Sequence, residues 1–284
     1  MIQLGIRFHD TKELPFEERL KKIKEQGFDC VHIALSKVPG FTADPAALTP
    51  GYAMYLRNAF RKADLDVAVL GCYLNLANPN AEKLLQIQDK YYAHLRFASV
   101  LGCGMVGTET GAPNESYSYD KEACHSAEAL ETFITNLRPV VKCAEQMGVI
   151  FAIEPVYRHI VYDAKRARQV LDRIGSPNLQ IIFDPVNLIW TDNYDRRNEV
   201  IDEAIDIMGK DIAMIHLKDC VPEGDGIKSV GCGFGEMDYT NIIKFALEKK
   251  PFIHATLENT KPDTAIQSRM CIEKVITSLG ALSD

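Results

Sequence analysis

Along this chain, short apolar runs alternate from end to end with longer stretches whose apolar positions recur every three or four residues. The first pattern is that of a strand buried on both faces, the second that of an amphipathic helix. Strands are expected to begin near Ile2, Cys30, Asp66, Met105, Val149, Leu179, Ile212 and Phe252. Helices are expected over 13–26, 48–62, 81–101, 121–147, 164–174, 198–208, 239–249 and 262–279. Strands that alternate with helices make a parallel sheet, and eight such units are the number that closes a barrel. The expected fold is therefore α/β, a (β/α)8 TIM barrel. No Gly/Ser linker or shift in composition divides the chain, so residues 1–284 are expected to form a single domain. The Gly-rich stretch 224–235 follows the seventh strand and is expected as a long loop covering the active-site face.

Four of the apolar runs end in a residue able to hold a metal. Val149-Ile-Phe-Ala-Ile leads into Glu154, Leu179-Gln-Ile-Ile-Phe into Asp184, Ile212-Ala-Met-Ile into His216, and Phe252-Ile-His-Ala-Thr-Leu into Glu258. Three carboxylates and one imidazole suit one divalent ion of hard to borderline character. In a barrel the strand ends converge on one face, so residues distant in sequence meet there. A doubly wound sheet spreads its strands along a line and gathers four consecutive ends less readily. Each residue alone has a plainer reading. A strand-end Glu can pair with Lys or Arg, Asp184 before Pro185 is good turn chemistry, and a strand His can be a satisfied core residue. Four together in successive units point to a site.

Composition narrows the partners. Hydrophobic residues at 46% and charged residues at 25% are ordinary for a globular protein with a sizeable core. No apolar run approaches the length of a bilayer span, so no membrane partner is expected. Met1-Ile-Gln-Leu-Gly-Ile lacks a basic leader region and reads directly as a strand, which implies no signal peptide and a cytoplasmic protein. The eight cysteines contain no Cys-x-x-Cys pair and read as buried thiols of a reducing compartment. A net charge of −7 argues against a nucleic-acid partner. Glycines 231, 233 and 235 have the look of a dinucleotide fingerprint, but they follow the seventh strand and no acidic residue completes the motif. No nucleotide cofactor is expected.

The segments Ile153-Glu154-Pro155, Phe183-Asp184-Pro185-Val186-Asn187, Ile215-His216-Leu217-Lys218-Asp219 and Leu257-Glu258-Asn259 carry a resemblance. The chain resembles the sugar phosphate isomerase/epimerase family of xylose-isomerase-like barrels, whose superfamily includes ketose 3-epimerases, inosose-processing enzymes and endonuclease IV. The resemblance spans essentially the whole chain. It implies one divalent metal ion, Mn²⁺, Mg²⁺ or Co²⁺ and also Zn²⁺, on Glu154, Asp184, His216 and Glu258. It also implies that Glu154 and Glu258 exchange the substrate proton from opposite faces. The chain departs from the family at Asn187, where many members carry a His; Asn cannot act as a base, although its amide can orient a hydroxyl. With seven histidines in all, the chain lacks the His-rich multi-zinc pattern of the endonuclease branch.

Other residues on the same face are candidates to bind substrate: His9 after the first strand, His159 shortly after Glu154, Asn187, and Lys218 next to the ligand His. Asp219, Tyr73, Asn75 and Glu109 are further candidates to line the pocket, whereas His32, His94, His125 and His254 lie in element bodies and read as structural. Trp190 and Tyr194 suit either a cover or a contact in a homo-oligomer. A metal flanked by two carboxylates suits proton transfer beside a carbonyl through an enediolate. Return of the proton to the same carbon is epimerisation, and to the neighbouring carbon isomerisation. The expected substrate is a small carbohydrate: a keto sugar, a polyol-derived ketone or a sugar phosphate. The same constellation would serve a dehydratase or a keto-glycoside lyase, and a sugar-binding barrel with a structural metal is the non-catalytic alternative.

Overall fold

In the computed structural model, which describes residues 1–280, the alternating pattern closes on itself. Strands β1 (Gln3–Arg7), β2 (Cys30–Ile33), β3 (Asp66–Gly71), β4 (Met105–Glu109), β5 (Ile150–Glu154), β6 (Leu179–Phe183) and β7 (Ile212–Leu217) lie side by side in chain order. After a hairpin, β8 (Asp219–Glu223) and β9 (Gly226–Val230), strand β10 (His254–Leu257) pairs in parallel with both β7 and β1 and shuts the barrel. Around it run α1 (Phe16–Glu25), α2 (Pro50–Lys62), α3 (Ala81–Leu101), α4 (Lys121–His125), α5 (Ala127–Met147), α6 (Ala164–Ile174), α7 (Arg197–Met208), α8 (Thr240–Lys249) and α9 (Ala265–Ser278). No described helix is long and apolar enough to cross a membrane.

Two expectations need correction. The helix expected over 121–147 is two helices, because Ser126 takes an extended conformation and its Oγ accepts the Ala129 amide at 3.1 Å. That side-chain bond starts a new helix in place of continuing the old one. The long loop expected at 224–235 is in its first half the β8–β9 turn and β9 itself. Its second half is pinned by Asp219, whose Oδ1 accepts the Met237 amide at 2.9 Å and whose Oδ2 accepts the Gly233 amide at 3.0 Å. Asp219 thus folds a loop.

What positions the site is the period of two along each strand. The barrel interior is plugged by a cluster of Cys30, Ala68, Val69, Met105, Ala152, Ile182 and Met214. Two residues beyond Cys30 comes His32, two beyond Ala152 Glu154, two beyond Ile182 Asp184, and two beyond Met214 His216. The alternation that aims the plug inward therefore aims the next inward residue into the barrel mouth. The larger apolar cluster, which includes Ile6, Phe8, Leu20, Phe60, Phe97, Phe133 and Ile242, fills the space between strands and helices.

Candidate metal centre and its cavity

Glu154, Asp184, His216 and Glu258 come together at the C-terminal mouth of the barrel, each no more than 5% exposed. His216 Nδ1 lies 3.4 Å from Glu154 Oε1 and 3.4 Å from Glu258 Oε1, with neither contact aligned as a hydrogen bond. Asp184 divides its oxygens between two tasks. Oδ1 accepts the Val186 and Asn187 amides at 3.0 and 3.2 Å, which is the turn chemistry its neighbour Pro185 suggested. Oδ2 is buried without an aligned hydrogen bond, with the Lys218 ammonium 2.7 Å away.

The donor set fits a divalent ion. Two donors about 2.1 Å from a common ion at tetrahedral angles stand roughly 3.4 Å apart, the spacing of His216 Nδ1 from both glutamates. Both nitrogens of His216 and Oδ2 of Asp184 are buried and lack hydrogen bonds, a costly state unless something else satisfies them. Two overlapping triads of donors are within reach of an ion, Glu154–Asp184–His216 and His32–His216–Glu258, and His216 belongs to both.

Charge is concentrated here. Burial works against a protonated His216, but Glu258 and Glu154 outweigh it and lift the imidazole to about 9. Burial pushes the Asp184 carboxyl up to about 6 against the pull of Lys218. It would also raise Glu258, yet His216, His32, Arg7 and Lys218 together hold that carboxyl well below its usual range. Lys218 is buried too, and Asp184, Glu258 and Glu154 keep it charged.

A cavity of about 650 Å³ opens over this set, lined among others by Arg7, His9, Tyr73, Glu109, Glu154, Asn187, Lys218 and Glu258. His9 faces it from the turn after β1, and burial with the nearby Arg7 charge lowers its imidazole to about 4. Lys218 Nζ donates to Asn187 Oδ1 at 2.7 Å, and Asn187 Nδ2 donates to Glu154 Oε1 at 2.6 Å. An ammonium can only donate, so the orientation of the Asn187 amide is forced. Asn187 thus bridges Lys218 to Glu154, spending both ends of its amide on protein. His159 stands outside the lining, its ring 5.3 Å from that of Tyr117 and its Nδ1 3.9 Å from Glu109. The Gly-rich stretch does not line the cavity either. Its hairpin packs on Trp190, which a Cβ on Gly226 would meet at 3.2 Å.

Residues read as structural or passed over also reach the site. Arg7 Nη1 donates to Glu258 Oε2 at 3.2 Å. His32, fully buried on β2, places Nδ1 3.4 Å from Glu258 Oε1 and shares a 2.8 Å hydrogen bond between Nε2 and the Tyr73 hydroxyl. Its ring stacks on that of His216, with centroids 5.0 Å apart and planes within 3°. A Cβ on Gly71 would sit 2.8 Å from both His32 Nε2 and the Tyr73 ring, so the close approach of these two needs glycine there. His94 lines the cavity as well, with Nδ1 on the Lys90 carbonyl at 2.8 Å. Arg7 ends a strand, so the reasoning that found Glu154 could have found it. All four residues of β2 are buried, and such a run does not reveal which of them point inward.

The model of the xylose isomerase-like TIM barrel family matches residues 20–274. No curated protein matches the chain in sequence. Among solved structures, a D-tagatose 3-epimerase-like protein superposes with a TM-score of 0.77 at 18% identity, covering 99% of this chain and 100% of that one. The 3-keto-D-glucoside 4-epimerase of E. coli gives 0.73 at 15% identity over 98% and 100%. The IolI protein with a bound zinc atom gives 0.70 at 17% identity over 97% and 98%.

Proposed function

Because the chain belongs to the xylose isomerase-like TIM barrel family, we propose that it is a divalent-metal-dependent isomerase or epimerase of a keto sugar or related polyol ketone, with Glu154 and Glu258 as its acid–base pair. One observation carries this reading: two carboxylates, from strands on opposite sides of β7, flank His216 at equal distance beside one cavity. An epimerase and an epimerase-like protein of similar fold support the reaction class, and a zinc-bearing protein of that fold supports the metal. Glu154, Asp184, His216 and Glu258 are the residues that would hold the ion. When bound there, it supplies Lewis acidity toward a carbonyl oxygen.

The chain's own groups account for the rest. Glu258, kept ionised by its surroundings, takes a proton from the carbon beside the carbonyl, and Arg7 holds its second oxygen. Glu154, entering this half of the cycle as the carboxylic acid, delivers its proton from the other side and is left as the carboxylate, with Asn187 holding its Oε1. In the reverse direction the two exchange roles. Lys218, anchored on Asn187 and beside Asp184, presents positive charge to the anionic enediolate. The test is incorporation of solvent deuterium into free keto sugars, inososes and their phosphates by metal-loaded protein. A sugar-binding barrel incorporates none, whereas the proposed enzyme labels the carbon next to the carbonyl.

A further inference from the structure

We propose that Glu109 and Tyr117 form a hydroxyl-reading subsite, which takes neighbouring hydroxyls of an uncharged polyol segment just beyond the carbon served by Glu154. The inference rests on the reading above and names the part of the substrate that this wall recognises. Glu109 closes β4 and is paired in register with Glu154 on β5, so its carboxylate stands one strand further round the mouth than the donor set. It lines the cavity with its side chain 31% exposed. Oε2 accepts the Tyr117 hydroxyl at 3.2 Å, and Oε1 has no hydrogen-bond partner among the described residues. An ionised carboxylate only accepts, so hydroxyl donors match the free oxygen. Tyr117, its O–H engaged in the hydrogen bond to Glu109, offers lone pairs to a second hydroxyl.

This wall is built, not incidental. Tyr117 holds a φ of 57°, a left-handed conformation that a residue with a side chain keeps only where its surroundings enforce it. Asn75 supplies part of that enforcement. Its Nδ2 donates to the carbonyls of Ala112 and Asn114 at 2.8 Å each, and its Oδ1 accepts the Ala112 amide at 3.3 Å. Gly111, with φ of 79°, lets the loop pass so close that a Cβ would lie 2.3 Å from Asn75 Oδ1. His159 backs the Tyr117 ring. A phosphate set directly against Glu109 is repelled and a hydroxyl is not, which gives this wall its ligand class even though Arg7, Lys37, Lys90 and Lys218 line the same cavity.

Wild-type exchange on free keto sugars, inososes and their phosphates is measured first. No exchange on any of them overturns the parent reading, and the subsite falls with it, whereas exchange on the phosphates alone overturns the subsite and leaves the parent reading standing. Given exchange, steady-state kinetics follow for metal-loaded Glu109→Gln and Tyr117→Phe, with metal content checked. Substrates are a free ketohexose, analogues each lacking one hydroxyl remote from the reacting carbon, and the phosphate ester. Glu109→Gln should raise KM about tenfold and Tyr117→Phe about fivefold, with far smaller falls in kcat. One deoxy analogue should already be handled as poorly by wild type and lose nothing more in Glu109→Gln. The phosphate ester should be the poorer substrate of wild type. Unmoved KM in both variants, equal losses on every analogue, a kcat collapse, or preference for the phosphate ester overturns the proposal. Should Glu109→Gln not fold, Tyr117→Phe, which deletes a single oxygen, decides.

Discussion

The barrel mouth has two unlike halves. Strands β5, β6, β7 and β10 carry Glu154, Asp184, His216 and Glu258 to the mouth, all buried, in two overlapping donor triads that share His216 and also take in His32. Strands β1 to β4 bring Arg7, His32, Tyr73 and Glu109, which mostly bond to one another or to the first set: Arg7 and His32 approach Glu258, and Tyr73 holds His32. On the proposed reading, the first half holds an ion and moves a proton, and the second aims those groups and meets the rest of the substrate. The division predicts that damage to the first half abolishes function, whereas damage to the second grades it.

Asp184→Ala should break the comparison most severely. It removes both Oδ2, which is paired with Lys218 beside the candidate ion site, and the turn made by Oδ1, and elemental analysis should find most of the metal gone and turnover at background. Full metal retention would refute the donor assignment. Next comes Glu258→Gln, which keeps shape and an acceptor but cannot take a proton. With metal occupancy matched, kcat should fall by about 10²–10⁴-fold; near-normal turnover would eliminate the two-carboxylate mechanism.

Acidity sharpens the contrast, because the donor half must lose protons to bind an ion. The ion-free His216 keeps its proton up to about 9, so below that pH an incoming ion has to expel it. Metal affinity should therefore rise about tenfold per pH unit toward 9 and then level. Below about 6, where Asp184 also takes up a proton, the dependence should steepen. Competition with a chelator across this range reads the slope, and a flat profile would contradict these protonation states. The smallest effect belongs to the second half. His32→Leu removes the ring stacked on His216 and should weaken metal binding about 10–100-fold, with Tyr73→Phe milder. Equal effects of His32→Leu and Asp184→Ala would erase the distinction between the halves.

The two halves were unequally legible in sequence. Each candidate donor stands at the end of an apolar run, and the period of two carries it inward, so one pattern predicts both the strand and the candidate ligand. His32 lies inside a strand with every residue buried, where no exposed position shows which way it points. Its role depends on the ring of His216, a neighbour across the barrel that sequence separation hides. Asn187 stands out in the sequence as a departure from the family, but its bridge exists only because the chain after β7 delivers Lys218 beside it. The β8–β9 hairpin escapes the pattern because a Gly-Asp turn between short strands reads as loop.

Asp184 has a consequence of a different kind. Its Oδ1 is committed to the amides of Val186 and Asn187, so the chain after β6 acquires its shape from the same carboxylate whose other oxygen faces the candidate ion site. The loop ordering that binding would otherwise demand is met while the loop folds. If the proposed ion binds there, its affinity is spent on expelling protons and not on ordering this loop. The arrangement also makes the position brittle in evolution. Glutamate would carry the same charge, but its added methylene cannot keep the turn and the aim together, and asparagine would keep the turn while surrendering the charge.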